Sequence, residues 1–255
     1  MDIIQRLREC IPSVFSREGK TDFHNLLGET SPAREFDQYF HSRLKSSPNA
    51  RLDKFTHDLL VQYLNDNHSY HGEAVFVTMG NSIDKIRITP SVWSLDKVVS
   101  CGFWYRAAYP RQSTPSPNEP FAPHADSHVL VQTADSGLSP CSIQEIFAHK
   151  RGDPHTKKPI IEIFLLVRRY TELNQEDLKL DCWRQYTMGG GFLYYDAFAT
   201  KSHIIKVDDI VAHFAKTPLT SEDIPGLSGQ CIHVLPLNWV SINFFRVQYT
   251  QSILA

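Results

Sequence analysis

The chain predicts an α+β protein: a helical N-terminal layer followed by a β-rich unit. Three observations carry this. Up to about residue 70 the apolar residues recur at the three-to-four spacing of a helix face. After Gly72 the period falls to about two, the spacing of strands. Between Asp126 and Asn238, five or more short apolar runs alternate with turn residues, which suits a small twisted barrel or an open sheet. The divisions that follow are 1–70 (helical), 71–119 (strands and a Pro-rich connector) and 120–255 (the β domain).

The elements follow in order. Ile3, Ile4, Leu7 and Ile11 keep helical spacing until Pro12 disturbs it, and SREGKTD reads as a loop. From Pro32 a second helix places Phe36, Tyr39, Phe40 and Leu44 on one face. Asn49 or Asp53 can cap a third, with Leu52, Phe55, Leu59, Leu60 and Tyr63 inward, and NDNHSYHG ends it. These helices are expected to pack on the β unit, the alternative being an independent binding module. AVFVTM, DKIRIT and KVVSCGFWYRAAY read as strands, split by GNS and by a turn over Pro90–Trp93. RQSTPSPNEPFAP is an extended connector. SHVLVQT, CSIQEIFAHK, PIIEIFLLVRRY, FLYYDAF, SHIIKVDDIVAHF, CIHVLPLN and VSINFFRVQYT are the strands of the β domain. HKRGDPHTKKP is a hairpin tip, and NQEDLKLDCWRQYTMGGG is a partly helical insertion.

Composition narrows the function. Hydrophobic content of 42% with 15 Phe, 10 Tyr and 4 Trp is ample for a packed core. A net charge of −2 argues against a general nucleic-acid binder. Cys10, Cys101, Cys141, Cys182 and Cys231 form no CxxC pair, so buried, reduced thiols are expected rather than a zinc ribbon. The first residues lack the apolar core of a signal peptide, and no run reaches the roughly 18 apolar residues of a membrane span. A soluble nuclear or cytosolic protein is expected, nuclear rather than cytosolic.

Five strings stand in an order that resembles the BAH (bromo-adjacent homology) domain, a β-barrel module of chromatin proteins. Asp126-Ser-His-Val-Leu-Val takes the place of the family's opening strand, and Ser142-Ile-Gln-Glu-Ile-Phe that of the next. Phe164-Leu-Leu-Val-Arg-Arg-Tyr-Thr-Glu-Leu corresponds to the family's Val-Trp-Phe-Tyr-Arg-Pro strand, and Asp208-Asp-Ile-Val-Ala-His-Phe to its Asn-Glu-Leu-Phe-Leu-Ser strand. Leu227-Ser-Gly-Gln-Cys-Ile-His-Val is similar to the closing Ile-x-Gly-Lys-Cys-x-Val. The resemblance covers about residues 120–236 and implies a small barrel that binds a chromatin partner. The chain departs from the family at Arg168 and Arg169, which replace its Trp-Phe pair, so the family's aromatic pocket does not carry over. Trp183, Tyr186, Tyr194 and Tyr195 are the aromatics that would rebuild one. The layout is also similar to uncharacterised proteins encoded beside fungal transposable elements.

Local chemistry offers competitors. In HADSH, His124 and Asp126 project to one face of a strand, and a distant His203, His213 or His233 would complete the two-histidine, one-carboxylate set of Fe(II) oxygenases. The bland reading is a turn that caps the first barrel strand. Gly189-Gly190-Gly191 precedes a strand rather than a helix, so it reads as a turn and not a phosphate cradle. Cys231 and His233 share a strand face, where Cys is ordinarily a small core residue.

The reading that results is a non-enzymatic chromatin or protein-interaction module, with no cofactor and no membrane role expected. Its expected partner is a nucleosome, a histone-type chain or another protein, with weak DNA-phosphate contacts alongside. A basic hairpin (Lys150, Arg151, Lys157, Lys158, Arg168, Arg169, with Lys179 and Arg184) is one expected contact surface. The other is an aromatic–acidic face formed by Tyr170, Trp183, Tyr186, Tyr194, Tyr195, Asp208 and Asp209. The alternative is an Fe(II)/2-oxo-acid-type oxygenase using His124, Asp126 and His203. A third reading is a structural subunit that pairs through apolar edges such as VSINFFRVQY.

Overall fold

The structure is a computed structural model that describes residues 32–68, 75–78, 85–100, 103–108, 125–133, 137–153, 156, 158–186 and 190–237. The expected helix before Pro12, the Pro-rich connector and the VSINFFRVQYT strand lie outside the described residues.

Two helices lead in. In α1 (Pro32–Leu44), Pro32 opens the helix, where a missing N–H is tolerated. Phe36 is buried, and Tyr39, Phe40 and Leu44 pack partly buried behind it, so the expected stripe is present. The cap of α2 (Lys54–His68) is Asp53, whose carboxylate accepts from the Thr56 N–H at 3.0 Å and the Thr56 hydroxyl at 2.6 Å. That leaves Asn49 free to accept from the Ser94 N–H. The inward stripe of α2 runs through Thr56, Leu60 and Leu64, all at most 2% exposed, with His57 beside it. Phe55, expected inward, is 56% exposed. The stripe starts one residue later because Thr56 must face Asp53 to close the cap.

The β strands are β1 (Ala50–Arg51), β2 (Phe76–Val77), β3 (Ile86–Arg87), β4 (Ser91–Leu95), β5 (Lys97–Ser100) and β6 (Phe103–Arg106). They continue with β7 (His128–Thr133), β8 (Gly137–Gly152), β9 (Pro159–Tyr170), β10 (Phe192–Tyr195), β11 (Phe198–Ile205), β12 (Ile210–Leu219) and β13 (Cys231–Pro236). Among the described residues a nine-stranded antiparallel sheet dominates, in the order β1-β4-β8-β7-β12-β13-β10, with β9 on the other edge of β8 and β11 beyond it.

Strand β8 is the spine. β9 pairs with it from Cys141 to Gly152, so β7 and β4 must share the remaining edge. β7 takes Gly137–Ser142 and β4 takes Ile146–Ala148. Between them the register slips: Val167 faces Ile143 and Leu166 faces Glu145, leaving Gln144 as a bulge. A bulge bends its strand and sharpens the local twist, and here it separates the two neighbours. β8 is buried on both faces over most of its length, which explains why CSIQEIFAHK carries little polar alternation.

The faces are covered differently. α1 and the β5–β6 hairpin cover Val129, Val131, Ile143, Ile146, Leu165 and Val167. α2 covers Phe147, Phe164, Leu166 and Ile204 on the other face. Farther along, Leu130, Tyr170, Phe214, Ile232 and Val234 form a third cluster, and Leu173, Leu193, Leu227 and Cys231 a fourth.

Two expectations change. The segment read as a turn over Pro90–Trp93 is mostly strand: Ser91–Leu95 lies between β1 and β8. Pro90 precedes it, where no ladder donor is needed, and its carbonyl accepts from the Leu52 N–H. The sheet is also open rather than closed into a barrel. It curls until the Tyr195 N–H reaches the Thr171 carbonyl at 3.0 Å, just past the end of β9. β10 and β9 share no ladder, however, and two-residue β1 ends the other side. The resemblance implied closure, but closure depends on how the sheet's edges meet, which strand order alone does not set.

Truncating the spine is expected to be costly. Phe147→Ala should lower stability by about 3–5 kcal/mol, whereas Phe55→Ala should change it by less than about 0.5 kcal/mol. Urea unfolding, read as a midpoint shift at constant m, checks the contrast.

Candidate interaction site

The residues expected to form the basic hairpin separate when folded. Lys150 and Lys158 are exposed, while Lys157 lies outside the described residues. Arg151 is only 5% exposed; its guanidinium pairs with Glu162 and lies 5.1 Å from the centre of the Phe76 ring. Lys206 holds the second Glu162 oxygen at 2.9 Å. Burial opposes ionisation of Glu162, yet Lys206 and Arg151 keep its carboxyl below the usual range. Arg168 donates to the Ala199 carbonyl and lies over the Phe198 ring at 4.9 Å, so it packs as much as it projects. Arg169 stands opposite buried Cys141, whose thiol burial pushes up to about 12. Arg184 is committed to buried Asp181 at 3.0 Å, and Lys179 to Glu176.

The aromatic–acidic face is likewise divided. Tyr170 and Tyr194 are core residues. The Tyr195 hydroxyl donates to Asp177 at 2.6 Å, and Asp177 also accepts from the Ser228 hydroxyl and N–H, tying the insertion to the loop before β13. The Ser228 and Tyr195 hydroxyls hold the Asp177 carboxyl below its ordinary range. Trp183 lies on His233, ring centres 5.0 Å apart, and Tyr186 is 67% exposed beside it. Asp209 accepts from the Lys206 N–H, and Asp208 is exposed. These acids begin β12 near Ile210, whereas His233 pairs with Thr217, seven residues away, about 23 Å along a strand. Trp183 and Asp208 therefore do not share a face.

Within the glycine run, Gly191 packs against protein, while Gly189 lies outside the described residues. A Cβ at Gly191 (φ +73°) would come within 2.4 Å of the Val234 carbonyl and 2.6 Å of His233 Nε2. Close approach to β13 therefore explains this glycine.

The structure assembles a different set of residues into an open groove of about 830 Å³. β6 lines it with Phe103, at 44% exposure, and Trp104; Leu237, at 57%, and Pro218 line it too. His213 and His128 line it, together with Phe214. His213 is sandwiched: Tyr105 stacks on it at 4.5 Å and 13°, and Phe103 meets it edge-on at 6.3 Å. Burial lowers the His213 pKa while Asp126 pulls it back up. Charges rim the groove in pairs: Arg106 Nε faces Asp126 at 3.5 Å, and Lys216 holds Asp196 at 2.6 Å. Lys97 sits over Trp104, 3.9 Å from the ring centre. The sequence contained a signal for this site. FWYR alternates faces in a hairpin, so three consecutive aromatics cannot all be buried by one core.

The metal reading is partly visible. His124 lies outside the described residues. Asp126 and His213 line the same groove. His203 pairs with Val167, which pairs with Ile143, while Asp126 stands just ahead of β7, so the sheet separates them by about three strand spacings, ~14 Å. Among the described residues no three His, Cys, Asp or Glu side chains group to hold a metal ion. No helix among them is long and apolar enough to cross a membrane.

His128 makes stability depend on pH. Burial first, then Lys216, lowers its pKa to about 4, with Asp196 opposing. Below its ordinary value of about 6.5 the unfolded chain takes up a proton that the folded chain refuses, so stability falls as pH drops from about 6.5 towards 4. Thermal unfolding across that window should show a shallower decline in His128→Phe. Compared with known protein families, curated proteins and solved structures, the chain matches none.

Proposed function

We propose that this chain is a binding module that docks on a nucleosome or histone-type protein partner, using the groove beside β6 as its main contact. The observation that carries this reading is an exposed aromatic at a concave surface. Phe103 stands 44% exposed at a groove that also holds Trp104 and Leu237. Large exposed aromatics in a concave, mostly apolar setting are typical binding anchors. Asp126 in the same groove supplies the acidic component that a basic segment would seek, with Arg106 as the internal cation that such a segment would displace.

The aromatic–acidic recognition inferred from the sequence thus moves from Trp183 and Asp208 to Phe103, Trp104 and Asp126. The oxygenase reading retains Asp126 and His213, but the Asp126 carboxylate already faces a guanidinium, an arrangement that favours binding over metal ligation. A chromatin partner would place the protein in the nucleus.

Titration of the labelled protein with reconstituted nucleosomes, alongside free DNA of equal length, tests the proposal. Preferential nucleosome binding, weakened about tenfold or more by Phe103→Ala with unchanged thermal stability, is the expected result. Equal or absent binding to both ligands would remove it.

A further inference from the structure

A second concave site lies away from the groove, between the loop after α1 and the β4–β8 pair. Its volume is about 380 Å³, and Lys45, Ser46, Ser47, Thr89, Ser91 and Lys150 line it. Its walls are fixed: Trp93 donates its indole N–H to the Ser46 carbonyl at 2.8 Å, and Asn49 accepts from the Ser94 N–H at 2.9 Å. The Ser46 hydroxyl closes the helix end by donating to the Arg43 carbonyl at 2.7 Å. Ser47, Thr89 and Ser91 are exposed, with hydroxyls that bond no group among the described residues.

Arg51 extends the patch. It stands opposite Ser91 in the β1–β4 ladder, so both side chains leave the same face, and both are exposed. Lys45, Arg51 and Lys150 are exposed, and no carboxylate pairs with them among the described residues. Two acids close by in sequence or in the ladder are committed elsewhere: Asp53 to the Thr56 cap, Glu162 to Arg151 and Lys206. A local positive field therefore survives in a chain whose net charge is −2.

We infer that this cleft binds the phosphodiester backbone of duplex DNA. The inference deepens the nucleosome reading and rests on it for the partner's identity. Arg51 on β1 and Lys150 on β8 stand about 10 Å apart across two strand spacings, and Lys45 adds a third cation from the loop after α1, an array that suits a run of phosphates better than one small anion. Exposed hydroxyls between them supply neutral donors to the same oxygens, and none of these groups reads base identity. Contacts will be few, so binding is weak and strongly salt-dependent.

The test is anisotropy of a labelled, mixed-sequence DNA duplex with the full chain, from ~50 to ~200 mM KCl. The triple variant Lys45→Gln, Arg51→Gln, Lys150→Gln should lose about tenfold in affinity and reduce the log–log salt slope by ~2 to 3. Lys201→Gln, a change at an exposed lysine on β11, should leave both unchanged. All three cleft residues are exposed, so the variant should fold, which thermal unfolding verifies. Equal affinity and slope in the triple variant, or no duplex binding by the wild type at ~50 mM salt, overturns the inference. Nucleosome binding that persists with an unchanged duplex slope would remove the cleft alone. Cleft-dependent duplex binding without nucleosome preference would instead remove the groove reading.

Discussion

Everything in this fold depends on one strand being paired along both edges. β9 holds one edge of β8 almost throughout, and the other is divided between β7 and β4 at the Gln144 bulge. Side chains alternate along a strand, so a one-residue slip would turn every apolar group of β8 to the opposite face. The bulge absorbs such a slip locally. It keeps Ile143 and Ile146 in the cluster covered by α1 while Phe147 enters the cluster covered by α2. Both helices and the β5–β6 hairpin are thereby referred to one element. The groove inherits its shape from this arrangement: β6 is held against the sheet by Val98 and Tyr105, and Tyr105 in turn positions His213.

Polar groups near the spine are paired in ways that limit what they can do. Arg151 alternates inward between two exposed-side neighbours and would be an isolated buried charge without Glu162. Removing one partner of such a pair leaves the other desolvated, which is far more costly than the pair's net contribution. Asp177 and Asp181 act similarly in the insertion: each buried carboxylate gathers hydrogen bonds from the chain around it and stitches the short helical turns to β10 and the loop before β13. These acids are structural, which explains why the carboxylate-rich insertion presents little acidic surface.

Much of the architecture was legible in the sequence, because it was written in local periodicity. Phe36 to Leu44, Leu60, and the apolar runs of β7, β8 and β9 name their elements directly. The misreadings arose where a non-local partner decides. Pro90 signals a turn, yet β1 and β8 recruit the next residues as a strand. Adjacent basic pairs read as charged surface, although strand alternation requires that one of Lys150 and Arg151 turn inward. Arg168 shows a further limit: a guanidinium over Phe198 serves packing, and only the folded neighbour reveals it. The groove was legible only in part: FWYR marks one contributor, but Phe103, Asp126 and Lys216 come from three distant segments.

The length of β8 has a further implication. His128, in the groove, pairs with Ser142, and Lys150, in the cleft, lies eight residues farther along that strand; the Gln144 bulge takes up one of them, so the two stand about 23 Å apart at ~3.3 Å per residue. A strand paired on both edges behaves as a rigid ruler. A partner that offers a hydrophobic segment and a phosphate run at that separation would engage both ends together, the second contact forming at high effective concentration. A partner with the same groups at another spacing would hold only one end. Selectivity of this kind resides in a distance, not in any single pocket.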